Sequence, residues 1–235
     1  MSSSDASDRI LAAAGAEFMA GPAEVFRLHR NQAPANAPFR LLDDPDDSQG
    51  LILKRAEWNK ATPFRVDTAR LIMSPVRARD LTAFHRIAGQ ASIARMLVNL
   101  EHPLSLSAAE NWLAKSRFRG RLGFMVGIYD RQGNLLGAIG LGGLSTSLVY
   151  FLNEEVRGQG IASEAVHGFL GYAVARFNLN TVFAGVFTDN PASRHILQKE
   201  NFAVTGTKPF RSPARTAPAA IWEMEWSRTQ WSRND

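Results

Sequence analysis

Apolar residues recur along this chain with two different periods. Between residues 78 and 89, Leu81, Phe84 and Ile87 follow one another at intervals of three, which places them on one face of an amphipathic helix. Elsewhere, short apolar runs bounded by glycine, proline or polar residues are typical of strands. Seven strands are predicted in this way: Leu71–Val76, Phe124–Tyr129, Leu135–Leu141, Leu148–Leu152, Thr181–Phe187, Phe202–Thr207 and Ala220–Trp226.

Helices are predicted between these strands. Ser107 and Glu110 have the spacing of a capping box, so one helix is expected to begin near Ser107. The other helical segments are Ala78–Gly89, Ser92–Leu100, Ile161–Phe177 and Pro191–Lys199. Asp130–Asn134 is expected to be a hairpin loop, and the nearly continuous apolar run Leu148–Leu152 a strand buried on both faces. This order predicts a mixed α/β domain at residues 64–228, followed by a C-terminal tail at 229–235.

The first 63 residues are predicted to form a partly ordered N-terminal leader. Ser7 or Asp8 could cap a helix ending near Met19, and Gly21-Pro22 would end it and begin another. The rest of the leader is expected to hold a linker, an acidic turn and a short strand, at Asn31–Pro38, Asp43–Ser48 and Leu51–Leu53. The leader is interpreted as an appendage, with a regulatory or dimer-forming arm as the alternative.

Charge and composition narrow the function classes. The leader has 7 Lys and Arg against 9 Asp and Glu, whereas the remainder has 20 against 13. A basic domain suits an anionic ligand, either a phosphorylated cofactor or nucleic acid. The absence of cysteine excludes disulfides, thiolate metal sites and a cysteine nucleophile. No metal is expected, because the histidines are scattered. No run of about 20 apolar residues predicts a membrane span. We expect a cytoplasmic protein.

The segment Arg157–Ser163, R-G-Q-G-I-A-S, is the most informative part of the sequence. Gly158 and Gly160 allow a tight turn in which Gly158, Gln159, Gly160, Ile161, Ala162 and Ser163 present backbone N–H groups at a helix start. Arg157 adds a full positive charge. These features predict a pyrophosphate-binding cradle, a name used below for residues 157–163.

Two commoner phosphate motifs fit less well. The string G-x-x-x-x-G-K-[ST] of a P-loop does not occur. The dinucleotide motif G-x-G-x-x-G is nearly met, but residues 176–185 contain no acidic partner for a ribose. Glu154 and Glu155 before the turn would also repel a dinucleotide.

The cradle motif resembles the [QR]-x-x-G-x-[GA] signature of the GNAT acetyltransferase superfamily. The segments Thr68–Val76 (T-A-R-L-I-M-S-P-V) and Asp189–Phe202 (D-N-P-A-S-R-H-I-L-Q-K-E-N-F) are similar to motifs of its RimJ/RimL-type branch, which acetylates protein N-termini. The resemblance covers about residues 65–227. Two positions depart from the pattern: Ser74 replaces an arginine, and Asn201 replaces a glycine, which is tolerable because Asn accepts positive φ.

The resemblance implies an α/β fold with a central mixed sheet of about seven strands and helices on both faces. Leu148–Asn153 and Thr181–Phe187 would be parallel strands that splay apart, with the pantetheine arm of acetyl-CoA between them. A backbone N–H near Phe151 or Leu152 would then polarise the thioester carbonyl. The implied reaction is acetyl-CoA-dependent acetylation of a primary amine, on a protein N-terminus or a small molecule.

Candidate catalytic residues follow from the same resemblance. Ser193 would lie near the departing sulfur, where many members of the family have a tyrosine, and it would donate a proton or a hydrogen bond to the thiolate. Asn190 would bond the pantetheine arm or simply cap its helix. Glu154 or Glu155 would accept a proton from the amine, or be a solvated turn residue. A non-catalytic acyl-CoA sensor is the alternative function, and a nucleic-acid binder is less favoured because basic-aromatic clusters are missing.

Overall fold

The computed structural model describes residues 17–19, 25–29, 42–44, 46–54, 64–142 and 146–228. Before residue 64, the described residues form a four-stranded antiparallel sheet in the order β1-β2-β4-β3. Its strands are β1 Glu17–Met19, β2 Val25–His29, β3 Leu42–Asp44 and β4 Asp47–Lys54. The strand expected at Leu51–Leu53 is confirmed within β4.

The helices predicted in the leader are wrong at the residues that can be compared. Met19 and its two predecessors pair with β2 rather than ending a helix, and β2 follows Gly21-Pro22 where a second helix was expected. In β2, Phe26 and Leu28 alternate with Arg27, which is the two-residue period of a strand. The acidic turn is confirmed in a narrower form, with Asp44 opposite Asp47 in the hairpin. Ser7, Asp8, Asn31–Pro38 and the tail at 229–235 lie outside the described residues.

The main domain contains eight described strands in two antiparallel sheets. The larger has the order β5-β6-β7-β8-β9 and the smaller the order β10-β12-β11. The strands are β5 Val66–Asp67, β6 Leu71–Ser74, β7 Phe124–Asp130, β8 Leu135–Leu141, β9 Leu148–Leu152, β10 Thr181–Phe187, β11 Ala203–Phe210 and β12 Ala219–Ser227. All seven predicted strands are therefore confirmed, and β5 is an additional one.

The helices are α1 Leu81–Ala88, α2 Ala91–Ala94, α3 Leu106–Lys115, α4 Ile161–Phe177 and α5 Pro191–Lys199. The helix expected over Ser92–Leu100 is confirmed only in its first turn, since turns follow Ala94. The predicted cap Ser107 is wrong: Ser105 caps α3, and its Oγ accepts the Ala108 N–H at 3.1 Å. Ser105 has the extended backbone that an N-cap requires, so the helix begins two residues earlier than the capping box indicated.

Helices cover both faces of the larger sheet, as the resemblance implied. Alternate residues of β7 point to opposite faces: Val126 and Ile128 pack with α4, and Met125 packs with α1, α2 and α3. Each face therefore has its own hydrophobic core. Among the described residues, no helix is long and apolar enough to cross a membrane.

The two sheets meet at β9 and β10, which run parallel and touch at one end. The Phe183 N–H donates to the Thr146 carbonyl at 3.2 Å, and Ser147 and Phe183 form a single parallel bridge. Beyond that bridge the described strands do not pair, so a gap opens toward their carboxyl ends, as the resemblance implied. Because β9 borders the gap, Val149 and Tyr150 are only half-buried, and the prediction that this strand is buried on both faces is wrong for them.

Candidate active site

The cradle forms a tight turn at the start of α4. Gly158 and Gly160 both have φ of 76°, a left-handed conformation that glycine adopts without steric cost. Gly160 is the N-cap of α4 and has no capping side chain. Within the part of the chain that the structure describes, no backbone N–H from Gly158 to Ser163 donates a hydrogen bond to protein. The turn is exposed, so these free donors at a positive helix end fit a pyrophosphate.

Arg157 lies at the edge of the cradle, where neighbouring side chains hold it. Its Nη2 donates to Ser92 Oγ at 3.2 Å, and its Nη1 is 3.8 Å from Glu154 Oε1. Ser92 Oγ in turn donates to Glu154 Oε1. The predicted contact of Arg157 with the ligand therefore stays a prediction, and Ser92 is a partner that sequence reasoning missed.

The second predicted carboxylate, Glu155, also lies in the short 3-10 turn that follows β9. Its Oε2 accepts from Asn153 Nδ2 at 2.9 Å, and Asn153 Oδ1 accepts from Gln90 Nε2 at 2.9 Å. Asn153 is buried, whereas Glu154 and Glu155 are exposed. The turn between α1 and α2 is thus fixed to the carboxyl end of β9 by side-chain hydrogen bonds.

Backbone groups of β9 face the gap at alternate residues. The Asn153 N–H donates to Leu136 on β8, and the Thr146 carbonyl accepts from Phe183 on β10. Successive backbone groups along a strand alternate sides, so the N–H of Leu152 faces the gap and that of Phe151 faces β8. Of the two predicted oxyanion donors, the geometry therefore favours Leu152. The same alternation turns the backbone of Gly185 on β10 toward the gap, where these groups fit the amides of a pantetheine arm.

Asn190 and Ser193 lie in the first turn of α5, which follows β10. Asn190 Oδ1 accepts the Ser193 N–H at 3.2 Å, so Asn190 is an N-cap. Ser193 Oγ lies 2.8 Å from the Tyr150 hydroxyl of β9. Burial raises the pKa of Tyr150 to about 12, against a smaller opposing effect of its hydrogen bond with Ser193. Tyr150 thus keeps its proton at neutral pH, and either hydroxyl of the pair can donate to the other. Sequence reasoning did not identify Tyr150.

A cluster of charged residues lies just beyond the carboxyl end of β10. Asp189 accepts from Arg215 Nη2 at 2.8 Å and from Arg95 Nη2 at 2.8 Å. Arg215 also lies over the ring of Phe187, 4.0 Å from its centroid. The hydrogen bond from Arg215, together with the positive charges of Arg215 and Arg95, holds the pKa of Asp189 below its usual value. The carboxylate is therefore ionised and neutralised by two guanidinium groups.

Family comparison agrees with this geometry. The family model described as acetyltransferase (GNAT) domain matches residues 70–203, more than half of the chain. The chain belongs to the GNAT acetyltransferase family. It is an N-acetyltransferase with acetyl-CoA as co-substrate, as the motifs implied. Within the described ranges, no group of three or more His, Asp and Glu side chains could hold a metal ion.

Solved structures with this fold include other acetyltransferases. A spermidine N-acetyltransferase from Vibrio cholerae, in complex with CoA and spermine, is 19% identical with a TM-score of 0.60, covering 70% of this chain and 99% of that one. RimL, a ribosomal L7/L12 α-N-protein acetyltransferase in complex with CoA, is 15% identical with a TM-score of 0.60, covering 70% and 98%. A GNAT acetyltransferase from Bacillus anthracis is 15% identical with a TM-score of 0.61, covering 70% and 98%. No curated protein matches the chain in sequence.

The departure at Asn201 is explained by the acetyltransferase's backbone. Asn201 has φ of 64°, the left-handed conformation in which glycine is usual and asparagine is tolerated. The residues that sequence reasoning missed have no comparable local signal. Tyr150 is an ordinary strand residue by pattern, and Arg95 and Arg215 meet Asp189 only after the chain has folded.

Proposed function

We propose that this acetyltransferase transfers the acetyl group directly to a primary amine while both substrates are bound, and that its acceptor is the α-amine of a protein or peptide. The observation that carries the proposal is the hydroxyl pair of Tyr150 and Ser193 beside the gap between β9 and β10, at 2.8 Å. The gap also presents free backbone groups for the pantetheine arm, and the cradle presents free N–H groups for the pyrophosphate.

The chemistry proposed for these residues conserves every proton. The amine nitrogen forms a bond to the thioester carbon, and the Leu152 N–H donates to the carbonyl oxygen, where negative charge develops. When the carbon–sulfur bond breaks, Ser193 Oγ–H donates its proton to the sulfur and receives one from the Tyr150 hydroxyl. Tyr150 takes a proton back from water once CoA has left, because its raised pKa favours the protonated form. Because a free thiol has a pKa of about 8.5, the thiolate leaves readily and this assistance is worth a modest factor.

The proton of the attacking amine is proposed to leave through water to Glu154 or Glu155. Both carboxylates are exposed at the end of β9, beside the proposed position of the thioester. An α-amine has a pKa of about 7.7–8.0, so a useful fraction is neutral at pH 7, whereas a lysine amine near 10.4 is almost wholly protonated. A site whose carboxylates are already hydrogen-bonded therefore suits an α-amine better than a lysine.

Charge pairing near the gap supports the same acceptor. Asp189 is paired with Arg95 and Arg215, and Glu154 is beside Arg157. A polyamine carries several positive charges and is best bound by carboxylates that have no cationic partner. The spermidine enzyme and RimL share this fold. The charge pairing favours a protein α-amine, the kind of acceptor in RimL's name, over a polyamine.

A screen of acceptors tests the proposal. Release of free CoA thiol is measured with peptides, amino acids, spermidine and aminoglycosides, alongside acetyl-CoA binding by calorimetry. We expect release with peptides that have a free N-terminus. Release only with polyamines would contradict the proposed acceptor, and tight binding without release for any amine would indicate an acyl-CoA sensor. Binding of unrelated DNA with a steep salt dependence would indicate a nucleic-acid function.

A further inference from the structure

Arg70, in the turn between β5 and β6, reaches the cradle from nearly ninety positions earlier in the chain. Its Nη1 donates to the Gln159 carbonyl at 2.8 Å. Its Nε donates to Glu164 Oε2 at 2.6 Å, and its backbone N–H donates to Glu164 Oε1 at 2.7 Å. One guanidinium therefore ties the cradle backbone to the first turn of α4.

The Glu164 carboxylate fixes the direction of this guanidinium. It also accepts from Thr68 Oγ1 at 2.6 Å, so three donors surround it. Burial alone would raise the pKa of Glu164, but the hydrogen bonds from Thr68 and Arg70 together lower it. The turn itself is held by Arg131, which donates to Asp67 Oδ1 at 3.1 Å and to the Thr68 carbonyl. Glu164 therefore fixes the guanidinium of Arg70, and Arg131 fixes the turn that carries Arg70.

The hydrogen bond to Gln159 has a consequence for the next residue. In a trans peptide group, the carbonyl and the N–H point in opposite directions. Because Arg70 holds the Gln159 carbonyl on one side of the loop, the Gly160 N–H must point to the other side. A Cβ added at Gly160 would lie 3.4 Å from Arg70 Nη2, so the guanidinium also packs closely against this residue.

We infer that Arg70 is a positioning residue for cofactor binding, which orients the peptide group between Gln159 and Gly160 so that the Gly160 N–H faces the pyrophosphate. The inference rests on the proposed function, since it takes the cradle as the pyrophosphate site. Arg70 acts through the backbone rather than by touching the ligand. The planar guanidinium donates hydrogen bonds to Glu164 and Gln159 at the same time, which a lysine ammonium on a flexible side chain cannot reproduce.

Two conservative variants separate orientation from charge. Arg70→Lys keeps the positive charge, whereas Arg70→Gln removes it. The matched control is Arg65→Lys, because Arg65 precedes the same turn and its one ion-pair partner among the described residues is the exposed Asp67. The dissociation constant (Kd) of CoA is measured by calorimetry for each protein, and that of pantetheine, which lacks the pyrophosphate, by competition. Thermal melting checks that each variant is folded.

We expect Arg70→Lys and Arg70→Gln to raise the Kd of CoA at least about tenfold, the scale of one charge-assisted hydrogen bond, and to change that of pantetheine less than about twofold. Arg65→Lys should leave both constants unchanged. Rescue of CoA binding by lysine would show that charge alone matters and would overturn the inference, as would an equal loss for CoA and pantetheine. Failure of the unaltered chain to bind CoA would instead overturn the proposed function.

Discussion

Tyr150 and Ser193 are 43 positions apart in the chain, yet their side-chain oxygens lie 2.8 Å from each other. Tyr150 belongs to the strand on one side of the gap, and Ser193 to the helix that follows the strand on the other side. The pair therefore joins the two elements between which the thioester is proposed to lie. In the proposed mechanism this pair would be the proton donor for the sulfur, even though α5 contains no tyrosine.

Removing either hydroxyl should slow the chemical step without weakening cofactor binding. We expect Ser193→Ala and Tyr150→Phe each to lower kcat about tenfold, with the Kd of acetyl-CoA within about twofold of wild type. Because the two groups act in one chain, the double variant should be little slower than the slower single variant. Tyr172→Phe, which removes a hydroxyl bonded to Arg176, is the matched control. If kcat of Ser193→Ala is unchanged under conditions where chemistry limits the rate, Ser193 has only a structural role.

The raised pKa of Tyr150 predicts its behaviour at alkaline pH. The pKa of about 12 in the folded protein lies above the usual value near 10. The free energy of unfolding is therefore unaffected by this group below about pH 10, and it falls as the pH rises from about 10 to about 12, where only the unfolded chain loses the proton. Tyrosinate absorbance of wild type minus that of Tyr150→Phe should titrate near pH 12. The melting temperature of wild type should also fall more than that of Tyr150→Phe over this range. A difference titration centred near pH 10 would contradict the burial argument.

Gly160→Asp should abolish CoA binding while the protein stays folded. The new side chain would need a left-handed backbone, crowd Arg70 and bring a negative charge to the proposed pyrophosphate site. We expect the Kd of CoA to rise at least about a hundredfold, the combined effect of strain and charge repulsion. Gly171→Asp, on the same helix at a position where an added Cβ meets nothing within 4 Å, is the control and should bind normally. Micromolar binding by folded Gly160→Asp would mean that the pyrophosphate does not bind at the cradle.

The features predicted correctly from sequence are those encoded over a few neighbouring residues. The tight turn expected at the cradle glycines is present, and α4, β10 and α5 begin and end where their patterns indicated. The positive φ of Asn201 was also foreseeable, since few other residues tolerate it.

Contacts between distant residues could not be predicted in the same way. The hydroxyl of Tyr150 and the guanidinium of Arg70 find their partners only when strands and helices have packed, and neither leaves a periodic signal. In the leader, the glycine-proline helix signal competed with a short strand pattern, and pairing between strands decided the outcome. The roles of Glu154 and Glu155, the domain boundary at residue 63 and a homodimer stay predictions.

The leader is predicted to be dispensable for cofactor binding. A chain that begins at Lys60 keeps every residue of the cradle and of the gap, so it should fold and bind CoA with a Kd within about twofold of the full chain. The cut must spare Phe64, which is fully buried with its ring 5.2 Å from that of Phe124 and 4.9 Å from that of Tyr172. A chain that begins at Val66 should therefore be less stable by about 3–5 kcal/mol. Aggregation of the chain that begins at Lys60 would show that the leader covers apolar surface of the domain.

The most direct test follows the acetyl group onto its acceptor. A short peptide with a free N-terminus and one internal lysine is incubated with the enzyme and acetyl-CoA, beside the same peptide with its N-terminus blocked, and products are located by fragment mass spectrometry. We expect one acetyl group on the α-nitrogen of the free peptide for each CoA thiol released, and no turnover of the blocked peptide. Acetylation of the lysine in both peptides, or bound acetyl-CoA with no acetyl transfer to any amine, would contradict the proposed function.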